Sequence, residues 1–170
     1  MIKKKGIFWL REDFRIQKNP ALSYATKNHD EVVAIYLFKK KDFENKREAQ
    51  KWWIYKSLLN FKNELKNFNI SLEIKNIESY KLGFDEIIEN KNFSIYWNKI
   101  YEPKFLKFDN LITKELKLKK IEYKIFKGNI LNEENEVKKN DQTPFKVFTP
   151  FWRTAEQVYL DKGFVKNFKV

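Results

Sequence analysis

Val32-Val33-Ala34-Ile35-Tyr36-Leu37-Phe38 is the longest apolar run in the sequence, and polar and apolar residues do not alternate along it. Such a run, rich in β-branched and aromatic residues, reads as a strand covered on both faces. Gly6-Ile7-Phe8-Trp9-Leu10 before it and Phe93-Ser94-Ile95-Tyr96-Trp97 after it read the same way. Residues 70–74 and 121–126 alternate apolar with polar, as less buried edge strands do. Helical patterns fill the intervals at 20–28, 46–68, 79–90 and 102–118. Strands alternating with helices make right-handed β-α-β units and a parallel sheet. With the apolar runs central and the alternating ones at the edges, the order is 3-2-1-4-5. The expected fold is a doubly wound, Rossmann-like α/β sheet of five parallel strands with helices on both faces.

Such a sheet binds ligands beyond the carboxyl ends of its strands, where the winding direction reverses. Here that point lies between the first and fourth strands. The residues leaving those strands are Leu10-Arg11-Glu12-Asp13 and Asn98-Lys99-Ile100-Tyr101-Glu102. Asp13 can bond Arg11 or Arg15, or cap backbone N–H groups in the turn that follows. Glu102-Pro103 suits the first turn of a helix. Asn98 and the strand-end aromatics are the alternative, a ligand contact.

Composition narrows the chemistry. The 170 residues contain no Cys, and His29 is the single histidine. Thiol nucleophiles, Cys-based zinc sites and two-histidine metal sites therefore drop out, and a Ser-His-Asp triad is nearly excluded. The glycines Gly6, Gly83, Gly128 and Gly163 are too scattered to write a phosphate loop. The formal charge of +12 suits weak, sequence-independent contact with DNA. It comes almost entirely from lysine, Arg11, Arg15, Arg47 and Arg153 being the only arginines. No stretch is long enough to span a membrane, and a cytoplasmic protein is expected.

In the helical pattern at 46–68, Ile54, Leu58, Phe61, Leu65 and Phe68 form one stripe toward the sheet. Trp52 falls almost opposite that stripe, against a second layer or open to a ligand or partner. Residues 1–126 read as the sheet domain. Residues 127–170 read as an irregular excursion of the same domain, closed by Phe148-Thr149-Pro150-Phe151-Trp152 and a short helix.

Four segments carry a family resemblance. Phe8-Trp9-Leu10-Arg11-Glu12-Asp13-Phe14-Arg15 with Asn19-Pro20-Ala21-Leu22 resembles the opening motif of the DNA photolyase/cryptochrome family. Lys51-Trp52-Trp53-Ile54-Tyr55-Lys56-Ser57-Leu58 is similar to its second-helix segment. Tyr96-Trp97-Asn98 with Tyr101-Glu102-Pro103 is similar to its second signature, and Phe148-Thr149-Pro150-Phe151-Trp152 to the segment closing its amino-terminal domain.

The resemblance implies an amino-terminal α/β domain that holds an antenna pigment of folate or deazaflavin type, occasionally a flavin. It also implies a partner, a carboxy-terminal helical domain that binds FAD and damaged DNA and is absent from these residues. In photolyases the antenna excites reduced FAD, which splits a cyclobutane pyrimidine dimer. This chain alone is expected to be catalytically inactive. The alternative is a stand-alone binding module or cryptochrome fragment without repair activity. The implied pigment groove comprises Trp9, Arg11, Phe38, Gln50, Trp53, Asn98, Ile100, Tyr101 and Glu102. Lys104-Phe105 stand where folate-type members have an Asn-Glu pair, and Ile100 stands where deazaflavin-type members have an acidic residue. Thr149, Pro150, Phe151 and Trp152 are expected at the junction with the helical domain, where Phe148, Phe151 and Trp152 would form an apolar patch.

Overall fold

The computed structural model describes residues 5–88, 92–133 and 135–162, with the backbone alone for 161 and 162. The chain runs β1 (Lys5–Leu10), α1 (Pro20–Asn28), β2 (Val32–Phe38), α2 (Lys40–Glu44), α3 (Glu48–Lys66) and β3 (Ser71–Asn76). It continues through α4 (Tyr80–Ile88), β4 (Phe93–Asn98), α5 (Pro103–Leu118), β5 (Tyr123–Phe126) and α6 (Phe148–Lys162). All neighbouring strands are parallel, in the order β3-β2-β1-β4-β5. The sequence pattern therefore identified both the sheet and its order.

Successive side chains of each central strand enter opposite cores, because a strand has a period of two. Ile7, Trp9, Ile35, Ile95 and Trp97 pack with Phe84, Ile88, Ile112 and Leu116 of α4 and α5. Phe8, Leu10, Ala34 and Tyr96 pack with Leu22 of α1 and Phe61 and Leu65 of α3. Both faces of the sheet are thus covered, which is why these strands are apolar throughout.

Two expectations about helices are corrected. The pattern at 46–68 is only part of the story: a separate α2 precedes it, and α3 begins at Glu48. Between them the Arg47 N–H donates to Gln50 Oε1 at 3.0 Å, starting the new helix. Phe68 lies past the end of α3 and is exposed, so the buried stripe is Phe61 and Leu65 with Leu58 and Ile54 half-buried. Asn69 takes a left-handed turn there (φ 55°), and the Ile70 N–H bonds Leu65 O at 3.1 Å to finish the helix. The closing helix α6 is fifteen residues long rather than short. The last part of the 79–90 pattern lies outside the described residues.

The described residues up to Gly128 form one compact unit, and those from Asn129 onward form a second. The second unit has its own small core of Val137, Ala155 and Tyr159, with Phe145, Phe151 and Val158 against it. Phe148 and Trp152 are exposed and stacked on each other at 6.2 Å. Phe151 departs from the expected patch because it packs on Phe145 inside this core. Thr149 and Pro150 are exposed in the first turn of α6.

Candidate functional site

A cavity of about 1100 Å³ opens beyond the carboxyl ends of β1 and β2. Its floor is Trp9, Arg11, Tyr36 and Phe38, and its walls come from Phe43 of α2, Gln50 and Trp53 of α3, Tyr80, and Phe105 and Phe108 of α5. The rings interlock. Trp9 meets Phe108 edge-on at 6.0 Å, Tyr36 stacks on Phe38 at 6.4 Å, and Trp53 meets Phe14 edge-on at 5.8 Å. Lys39, Lys46 and Lys104 add positive charge to the lining, and Glu12 and Asp42 add negative charge.

Arg11 is the polar centre. It follows β1 directly, is only 8% exposed, and lies between the Trp9 and Phe105 rings at 4.8 Å from each centroid. Its Nη1 donates to both carboxylate oxygens of Asp109, at 2.9 and 3.0 Å. Asp109 Oδ2 also accepts from Trp97 Nε1 at 3.3 Å. Using one nitrogen for both oxygens leaves the other unused, and Arg11 Nη2 is buried without a hydrogen-bond partner. A buried donor left unmet costs stability. Burial presses the Asp109 carboxyl upward and the Arg11 guanidinium downward, and each partner pulls the other back toward the charged form. Burial also pushes the Tyr36 phenol up to about 12, with Tyr80 and Glu12 adding to the effect, so Tyr36 enters the cavity as a neutral hydroxyl.

The structure brings Trp9, Arg11, Phe38, Gln50, Trp53 and Ile100 together on this cavity. Asn98, Tyr101 and Glu102 stand elsewhere. Asn98 Oδ1 accepts from the Ala21 N–H at 3.2 Å, and its Nδ2 donates to Asp13 at 3.1 Å and Asn19 at 2.9 Å. That amide sews the end of β4 to the loop before α1. The opening accordingly runs from the segment after β4, at Ile100 and Phe105, across the end of β1 to the end of β2. The Tyr101 hydroxyl accepts from the Gly128 N–H at 3.2 Å, where any Cβ on Gly128 would strike the Lys99 carbonyl oxygen. Glu102 caps α5 in sequence position only, with Pro103 behind it, and its carboxylate pairs with Lys104 at 3.0 Å. Asp13 bonds Arg15 at 2.7 Å, so of the two arginines offered to it, Arg11 goes to Asp109 instead.

Sequence reasoning passed over Asp109, Phe105, Phe108 and Tyr80. The signal for three of them was available: Phe105, Phe108 and Asp109 are spaced three and four apart, one face of a helix beginning beside the strand end. Among the described residues, no group of His, Asp or Glu side chains could hold a metal ion, and no helix is long and apolar enough to cross a membrane.

A doubly wound sheet with a ring-lined cavity beyond the carboxyl ends of its strands is an arrangement common among α/β domains that bind small molecules. The chain belongs to the DNA photolyase family, whose profile matches residues 6–167. A deoxyribodipyrimidine photo-lyase of Agrobacterium fabrum is 27% identical over 150 residues, 88% of this chain and 31% of that protein. The crystal structure of a bacterial class III photolyase from Agrobacterium tumefaciens superposes with a TM-score of 0.77 at 26% identity, covering 92% of this chain and 32% of that one. An archaeal photolyase from Sulfolobus tokodaii, described with two FAD molecules and a novel light-harvesting cofactor, gives 0.73 at 25% identity over 96% and 35%. The chain thus spans about a third of the length of these relatives.

Proposed function

We propose that this chain is the antenna domain of a deoxyribodipyrimidine photolyase, with a planar pigment of flavin, deazaflavin or folate type in the cavity. Such a pigment, when bound, absorbs light and passes excitation to FAD in a helical domain, where dimer repair takes place. The residues here bind and orient it. Trp9, Tyr36, Phe38 and Phe105 supply flat apolar surfaces, and the Arg11–Asp109 pair fixes one guanidinium edge against the ring. In this reading the full-length protein acts on damaged DNA in the cytoplasm.

The observation that carries the proposal is a cavity of about 1100 Å³ lined by the rings of Trp9, Tyr36, Phe38 and Phe105 with the Arg11 cation among them. Flat apolar walls with a cation and lysines among them suit a planar ring that carries a carbonyl or anionic edge, which each of these pigments presents. Riboflavin, 8-hydroxy-5-deazariboflavin and methenyltetrahydrofolate, titrated separately into the chain, should yield one that binds at 1:1 with an altered visible spectrum. Arg11→Lys keeps a charge facing Asp109 but loses the fork. It should weaken that binding about tenfold or more, since a hydrogen bond from a charged donor is worth about 1.5–3 kcal/mol. Failure of all three to bind overturns the proposal.

A further inference from the structure

The adjacent tryptophans of α3 face different ways. Trp53 turns to the cavity and Phe14. Trp52 does not. At about 100° per residue, Trp52, Tyr55, Lys56, Leu59 and Lys66 share the half of α3 opposite its core stripe, with Lys62 at its border. Trp52 is 63% exposed, Tyr55 59% and Leu59 43%. Lys56 Nζ sits 5.9 Å from both the Trp52 and the Tyr55 ring centroids, so a cation is held between two open rings. Phe61 and Leu65 already anchor the helix to the sheet, and the outer rings are not needed for that.

We propose that this outer face of α3 binds single-stranded nucleic acid. Exposed aromatic faces accept unstacked bases, and lysines among them follow the phosphates. The sign of the charge fits, both on this face and in the chain's formal +12. From Trp52 to Lys66 the stripe runs about 21 Å at 1.5 Å per residue, long enough for several contacts in a row. Its apolar residues are interrupted by lysines. A face built to receive a second helix, or to lie in a bilayer, would present a continuous apolar band instead. A duplex keeps its base faces stacked inside, out of reach of these rings. The site is independent of what the cavity holds.

Fluorescence anisotropy of a labelled thymidine oligonucleotide, titrated with the full 170-residue chain at low and physiological salt, tests this. The double variant Trp52→Ala/Tyr55→Ala should weaken binding about tenfold or more, because each stacked base contributes roughly 1–3 kcal/mol. Trp52→Phe/Tyr55→Phe should retain most of the affinity. Lys114→Gln/Lys117→Gln, at exposed positions on α5, should only flatten the salt dependence. Thermal melting of each variant confirms that it is folded. Unchanged affinity in the alanine pair would reduce the contact to general lysine charge and overturn the proposal. So would equal competition by duplex DNA, binding of phosphatidylserine vesicles in place of the oligonucleotide, or self-association through this face without nucleic-acid binding.

Discussion

The end of β1 and the end of β4 lie side by side at the point where the sheet reverses its winding, and each presents a buried polar side chain. At β4, Asn98 is 6% exposed, and its oxygen and both directions of its amide nitrogen are engaged, by Ala21, Asp13 and Asn19. At β1, Arg11 is equally hidden but spends a single nitrogen on both oxygens of Asp109, and Nη2 has no partner. A buried polar group with every bond made is part of the framework; one with a donor left over carries an unmet desolvation cost. The amide and guanidinium have similar burial and nearly the same address, yet differ in how fully their bonds are met.

The largest effect should come from removing the counter-charge at the β1 end. Asp109→Ala leaves the Arg11 guanidinium buried without compensation and should cost about 3–5 kcal/mol in urea unfolding. The joint change Arg11→Met/Asp109→Leu should recover most of that stability, since a well-packed apolar pair avoids the desolvation of both ions. A joint variant as unstable as Asp109→Ala would mean that the ion pair itself, and not relief of a lone charge, holds the β1 end together.

The β4 end should break less severely. Asn98→Leu keeps the branching at Cγ but leaves the buried Ala21 N–H without its acceptor and takes a donor from Asp13 and Asn19. A loss of about 2–3 kcal/mol is expected, with pigment binding per folded molecule unchanged. If Asn98→Leu instead abolished binding while leaving stability intact, the assignment of the two strand ends would be reversed.

How much of this was legible follows from the range of each signal. The sheet order could be read because the central strands are apolar on both faces, and a local pattern reports that directly. The azimuth of Trp52 could be read because it depends only on helical repeat, and the structure leaves it 63% exposed. Phe68 could not be placed, because the helix ends at Lys66 through a left-handed Asn69, a conformation that no strong local residue such as Gly announces. α2 itself was passed over, because the five residues Lys40–Glu44 are too few for a helical period to show. The bonds that decide the site were the least legible. Arg11 and Asp109 stand 98 positions apart, and Asn98 and Asn19 stand 79 apart. Periodicity says which face a residue takes, not which distant group meets it there.

The smallest effect sharpens the comparison at the carboxylate that Asn98 holds. Burial raises the Asp13 carboxyl above its ordinary range, while Arg15 and the Asn98 amide pull it back down. With burial the stronger influence, the folded chain binds this proton more tightly than the unfolded chain does. Between the ordinary carboxylate value and the raised one, folding therefore takes up proton, and stability from this group falls as pH rises through that window. Above the window the contribution is constant. Asp13→Asn mimics the protonated form and removes the titration. The unfolding free energy of the unmodified chain minus that of Asp13→Asn should accordingly decline from about pH 3 upward and then level off, a change smaller than either loss above. A difference that rises over the same window would show that Arg15 and Asn98 outweigh burial. The β4 end would then be an anion-binding framework in its own right, closer in kind to the Arg11 side than its filled hydrogen bonds suggest.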